Sequence, residues 1–178
     1  HLLLTLGLLD QDPNSVRGRD ALEELVERAD ELALAKVGLR ILASRFDPRK
    51  DNGSYVAFVD RLLGVVTPHP LRENLLLLRA HAALGFGEDD KVEEWSLRLM
   101  QEFPASPWKL DALRVLATTA WRTNPPKYRT VANYLNQIRT TEQEAGQDSS
   151  ETSLLMADCH FLAKDYENAS SAYQNLLG

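Results

Sequence analysis

Cysteine is nearly missing from this chain. Cys159 is the one copy in 178 residues, so no disulfide can form within it and packing alone must hold the interior. β-Branched residues are also scarce. There are 10 Val and 2 Ile against 31 Leu and 19 Ala, an imbalance that excludes a sheet protein and points to an all-α fold. Basic residues are outnumbered, 20 to 26, for a net charge of −6. No cluster of four or five Lys/Arg occurs anywhere, so the footprint of a nucleic-acid groove or a membrane-surface helix is absent. Long apolar runs are lacking too. The stretch Leu2–Leu9 is too short to cross a bilayer, and without a basic leader it does not read as a secretion signal.

Motifs of chemistry are missing as well. There is no GxxxxGK, GxGxxG or HExxH. The histidines at 1, 69, 81 and 160 are scattered, and His69 between two prolines reads as a turn residue. Cys159 and His160 are adjacent on a helix and point about 100° apart, so they do not share a target, and Cys159 reads as an apolar filler. The carboxylate pairs Glu23/Glu27, Asp89/Glu93 and Asp90/Glu94 each share a helix face without a histidine beside them, the pattern of a solvated surface. We therefore expect no catalytic, cofactor-binding or metal-ligating residues.

What is present is a rhythm of helix, short turn, helix. Apolar residues recur at Leu22, Leu25, Val26, Ala29, Ala33, Val37, Ile41 and Leu42, predicting one long helix from Arg19 to about Phe46. Its acidic front and basic rear match the helix dipole. Asp47–Gly53 is a polar break, and Tyr55–Val66 a short helix stopped by Thr67-Pro68-His69-Pro70. Leu71–Leu84 is apolar nearly all round and must be covered on several sides, with glycine closing it. Return helices are expected at Asp89–Phe103 and Lys127–Arg139, and first helices at Trp108–Arg122 and Glu151–Ala163. A last helix, Asp165–Leu177, follows a tight turn at Lys164. Thr140–Ser150 has no hydrophobic period and reads as an exposed loop.

Self-similarity runs through the second part. In the last hairpin Met156, Ala157 and His160 lie in the first helix, and Tyr166, Ala169, Tyr173 and Leu176 in the second. Leu76, Ala80, Ala83, Leu99 and Pro104 fall at matching offsets in an earlier copy, with Val92 at a small-residue position and Ser96 at an aromatic one. A middle copy has Leu113, Leu116, Ala117 and Ala120, then Tyr128, Val131, Leu135 and Ile138, once its turn is lengthened by two residues. This pattern resembles the tetratricopeptide (TPR) repeat family over residues 71–178. In that family small residues let paired helices approach closely, the role that Ala157 and Ala169 match. Leu176 departs from the family's alanine and His160 from its tyrosine, and the spacings of Ala80, Ala117 and Ala157 exceed the family period of 34. Phe103-Pro104 with Ser106-Pro107-Trp108 is similar to repeat junctions of bacterial envelope TPR proteins.

The resemblance implies an α-solenoid of stacked antiparallel hairpins (71–103, 108–139 and 151–177) winding as a right-handed superhelix. A helical N-terminal region without repeats, residues 1–70, would precede it, the whole forming one continuous solenoid cut from a longer one. It also implies a protein-interaction scaffold, a subunit of a larger assembly that binds a partner peptide or helix along the groove made by the first helices. In that register Leu77, His81, Arg114, Thr118, Trp121, Asp158 and Phe161 face the groove. The alternative is the helical superhelix region of an enzyme such as a lytic transglycosylase. No nucleic-acid partner, cofactor or transmembrane segment is expected. The single cysteine favours the cytoplasm, and the envelope resemblance keeps the bacterial periplasm open.

Overall fold

The computed structural model describes residue 12, residues 15–50 and residues 53–177. The apolar run Leu2–Leu9 lies outside these described residues, as do Asp51 and Asn52 of the polar break. Among the described residues there are nine α-helices and no strand. In chain order they are α1 (Val16–Arg28), α2 (Leu32–Arg45), α3 (Ser54–Leu63), α4 (Arg72–Phe86), α5 (Asp89–Glu102), α6 (Lys109–Arg122), α7 (Tyr128–Glu144), α8 (Ser150–Leu162) and α9 (Tyr166–Leu177). The fold is all-α, as composition predicts. Two compact units divide it, His1–Ala82 and Ala83–Gly178.

In the first unit, the long helix expected from Arg19 to Phe46 is two helices. The Ser15 hydroxyl caps the start of α1 by accepting from the Gly18 N–H at 3.3 Å. At the other end Ala29 turns left-handed, with φ of 46°, and α2 runs back against α1. Gly38 lets them close up, because a Cβ there would sit 3.3 Å from both Leu25 Cδ2 and Val26 Cγ2. Breaking α1 leaves carbonyls without helical partners. A distant residue takes them up: His69 Nε2 lies 2.9 Å from the Val26 carbonyl and 3.3 Å from that of Glu27. Its Nδ1 accepts from the Leu71 N–H at 3.1 Å, so Nε2 carries the proton and donates. The turn residue His69 is thus a buried strut. A second strut is Arg79, which lies on the Leu-rich helix α4, 2% exposed, and donates to Asp60 of α3 at 2.8 Å.

In the second unit each helix from α5 to α9 packs on its neighbour in the chain. Ala117 and Ala120 of α6, Val131 and Ala132 of α7, and Met156 and Cys159 of α8 form one buried cluster. Small residues dominate it, so the helix axes can lie close. The small residues picked out by their spacing, Ala80, Ala117, Ala157 and Ala169, are all buried. Three turns share one device. Gly87, Gly146 and Lys164 adopt positive φ, and the next N–H donates back to the helix end: Glu88 to Ala83, Gln147 to Glu142 and Asp165 to His160, at 2.9, 2.8 and 2.9 Å. The α6–α7 turn, residues 123–127, is two residues longer than the α8–α9 turn, residues 163–165, as the middle copy requires.

One expectation fails here. Residues 140–144 are not loop but the last turns of α7. Thr140 and Thr141 donate their hydroxyls to the carbonyls of Asn136 and Gln137, both at 2.9 Å, so these polar side chains are satisfied within the helix itself. Glu142 is only 6% exposed. Its carboxylate pairs with Arg114 of α6 at 3.3 Å and accepts from the Thr152 hydroxyl of α8 at 2.8 Å, joining three helices.

Candidate functional site

The expected groove residues form two stripes in the second unit. On α6, Arg114, Thr118 and Trp121 recur at i, i+4 and i+7, and all three are exposed. On α8, Leu154, Asp158 and Phe161 repeat that spacing, with Leu154 and Phe161 about half exposed. The helix dictates this. The buried sides of α6 and α8 carry Ala117, Ala120, Met156 and Cys159 into the shared cluster, and the two stripes lie outside it. Helix α8 is apolar on more than its buried side, since Leu155 and Leu162 are also exposed.

Trp121 and Phe161 are held in the same way. Each is the penultimate residue of its helix and meets edge-on the tyrosine that opens the following helix. Trp121 and Tyr128 have ring centroids 5.6 Å apart, and Phe161 and Tyr166 5.8 Å. An edge-to-face neighbour fixes a half-exposed ring in one orientation, so less freedom is lost when a ligand covers it. The chain invests aromatic residues at equivalent places in two hairpins.

The other expected residues fare differently. Arg114 reaches Asp111 at 3.6 Å as well as Glu142, so its charge also ties helices together. Thr118 donates its hydroxyl back to the Arg114 carbonyl at 2.8 Å. Asp158 accepts from the Tyr173 hydroxyl of α9, and this bond raises the tyrosine's pKa. Leu77 and His81 belong to the first unit. Leu77 is buried, and His81 is exposed.

Cys159 is buried at 1% exposure, and burial followed by the neighbouring Asp158 charge pushes its thiol up to about 11. A protonated, enclosed thiol is a poor nucleophile. Among the described residues no three His, Cys, Asp or Glu side chains gather as metal ligands.

A concavity that the sequence reading did not anticipate lies elsewhere in the second unit. Helices α7, α8 and α9 enclose a groove of about 530 Å³ that none of the seven expected residues lines. Its signal was available in the polar stripes Asn133, Asn136, Gln143 on α7 and Asn168, Ser171, Asn175 on α9. Comparison with known proteins finds no matching family model, no similar curated protein and no similar solved structure. Among the described residues no helix is long and apolar enough to cross a membrane.

Proposed function

We propose that the chain is a protein-interaction scaffold without chemistry of its own, built as a right-handed, TPR-like solenoid of stacked hairpins. It binds a partner peptide or helix along the face formed by its first helices. The observation that carries this reading is the pair of half-exposed, tyrosine-braced rings, Trp121 and Phe161, at equivalent positions of α6 and α8. Braced aromatics flanked by polar groups are the usual energetic anchors of an interface. Thr118 and Asp158 sit one turn before each ring and supply the polar flank. The surrounding charges set partner choice and encounter rate more than affinity.

The test uses the full chain as bait and quantifies recovered partners by mass spectrometry. Trp121→Ala and Phe161→Ala are each expected to lower recovery of a specific partner about tenfold or more, with unchanged melting temperature. Equal recovery by wild type and both variants rejects the reading. Arg114→Ala serves as a contrast, because it also strips Glu142 of its cation and lowers the melting temperature.

A further inference from the structure

The α7–α8–α9 groove differs from the rest of the surface in charge. The chain carries 26 acidic residues, yet among the described residues none lines this groove. Its walls present carboxamides from two helices: Asn133, Asn136 and Gln143 from α7, and Asn168 and Asn175 from α9. Asn133, Gln143 and Asn175 make no side-chain hydrogen bond within the described residues, so their donors and acceptors are open to a ligand. Arg139 stands among them. Its Nη2 donates to Asn136 Oδ1 at 2.8 Å, and among the described residues no carboxylate pairs with it. Its Nε is shielded and has no acceptor, so the guanidinium is not locked by a full set of bonds. His160, which also lines the groove, has its Nδ1 3.5 Å from the Asp165 carboxylate, whereas Arg139 has no carboxylate beside it among the described residues. The Asp165 carboxyl is held below its ordinary range, first by the Asn168 hydrogen bond.

Shape adds to charge. From Asn133 to Gln143 the α7 wall runs roughly 15 Å at the helical rise. That length matches about four or five residues of extended chain. A carboxamide offers one donor side and one acceptor side, the complement of a peptide unit. The apolar floor, Ala132, Met156 and Ala172, suits the Cα and Cβ atoms between those units.

We propose that this groove binds the main chain of an extended, acidic peptide segment, with the α7 and α9 carboxamides gripping the backbone and Arg139 reading an acidic side chain. The site is distinct from the aromatic face. On α8 the groove stripe of Ser153, Met156 and His160 and the stripe of Leu154, Asp158 and Phe161 lie roughly a third of a turn apart.

The experiment titrates the isotope-labelled full chain with an end-capped octapeptide of alternating Glu and Ser, followed by nuclear magnetic resonance. The expected result is movement of the side-chain amide signals of Asn133, Asn136 and Asn175. Arg139→Met and Asn136→Asp, which places an acid beside the guanidinium, should each weaken binding about tenfold, the loss of one charge-assisted contact. Both variants should keep wild-type circular dichroism. The same octapeptide with Lys for Glu should bind more weakly, and added salt should weaken the acidic one. The proposal is overturned by no binding at millimolar peptide, by equal affinity in both variants, or by tighter binding of trigalacturonate than of the peptide. Shifts confined to Trp121 and Phe161 would also overturn it, while favouring the aromatic face.

Discussion

The two units are held together by different means. In the first, buried polar side chains reach across long stretches of sequence. His69 closes the end of α1, and Arg79 fastens α4 to α3 through Asp60. Each tie joins residues far apart in the sequence, 43 positions for His69 and Val26 and 19 for Arg79 and Asp60. In the second unit the joints are local and repeated: small residues between helices, left-handed turns after them, and a ring braced by the next helix's first tyrosine. Its longer-range ties include Glu142, satisfied on both oxygens, and Arg122, whose Nη1 donates to the Leu84 carbonyl at 3.1 Å. The difference teaches where damage concentrates. A unit built on single buried ties loses much from one substitution, whereas a unit of repeated joints spreads the loss.

Asp60→Ala tests that contrast most severely. It takes the Asp60 carboxylate from the buried Arg79 guanidinium, and we expect a loss of about 3 kcal/mol in urea unfolding. A change within error would mean that Arg79 does not depend on Asp60. Next in size is a charge placed in the small-residue interior of the second unit. The Cys159 thiol is raised from an ordinary 9.0 to about 11 by burial. The unfolded chain therefore releases this proton first. Stability should hold below pH 9 and fall as pH rises through 11, by about 2 kcal/mol, a decline that Cys159→Ala removes. His69→Ala should cost about 1–3 kcal/mol by leaving the Val26 carbonyl unpaired, read as a lower melting temperature. The smallest effects belong to the turns. Lys164→Gly relieves a φ of 59° and should stabilise by up to about 1 kcal/mol, whereas Gly146→Ala should destabilise by a similar amount. Opposite signs at these two positions would confirm that the turns are interchangeable parts.

Much of the fold could be read from residue order, because leucine and alanine at helical spacing carry their own periodicity. Helices α4 to α6 fall within two residues of their expected ends. The break at Ala29 was illegible for a physical reason. No Gly or Pro marks it, the apolar stripe runs straight through, and the partner of the Val26 carbonyl lies 43 positions away in His69. The end of α7 was hidden because Thr140, Thr141 and Glu142 look like loop residues until their hydroxyl and carboxylate partners are in place. Trp121 and Phe161 were singled out by register alone. Their braces were not, since a ring contact between the end of one helix and the start of the next depends on turn geometry. The groove was missed because asparagines on a helix surface ordinarily signify hydration, and only the pairing of two such stripes across α8 makes a concavity.

The solitary thiol has a use that follows from its position. Cys159 sits in the cluster shared by α6, α7 and α8, and it is the only sulfhydryl in the chain. A thiol reagent added to the native protein can react only after this cluster has opened. The labelling rate is then a clock for that opening. Run beside a global unfolding curve, it would report whether the second unit breathes alone or only when the whole chain unfolds.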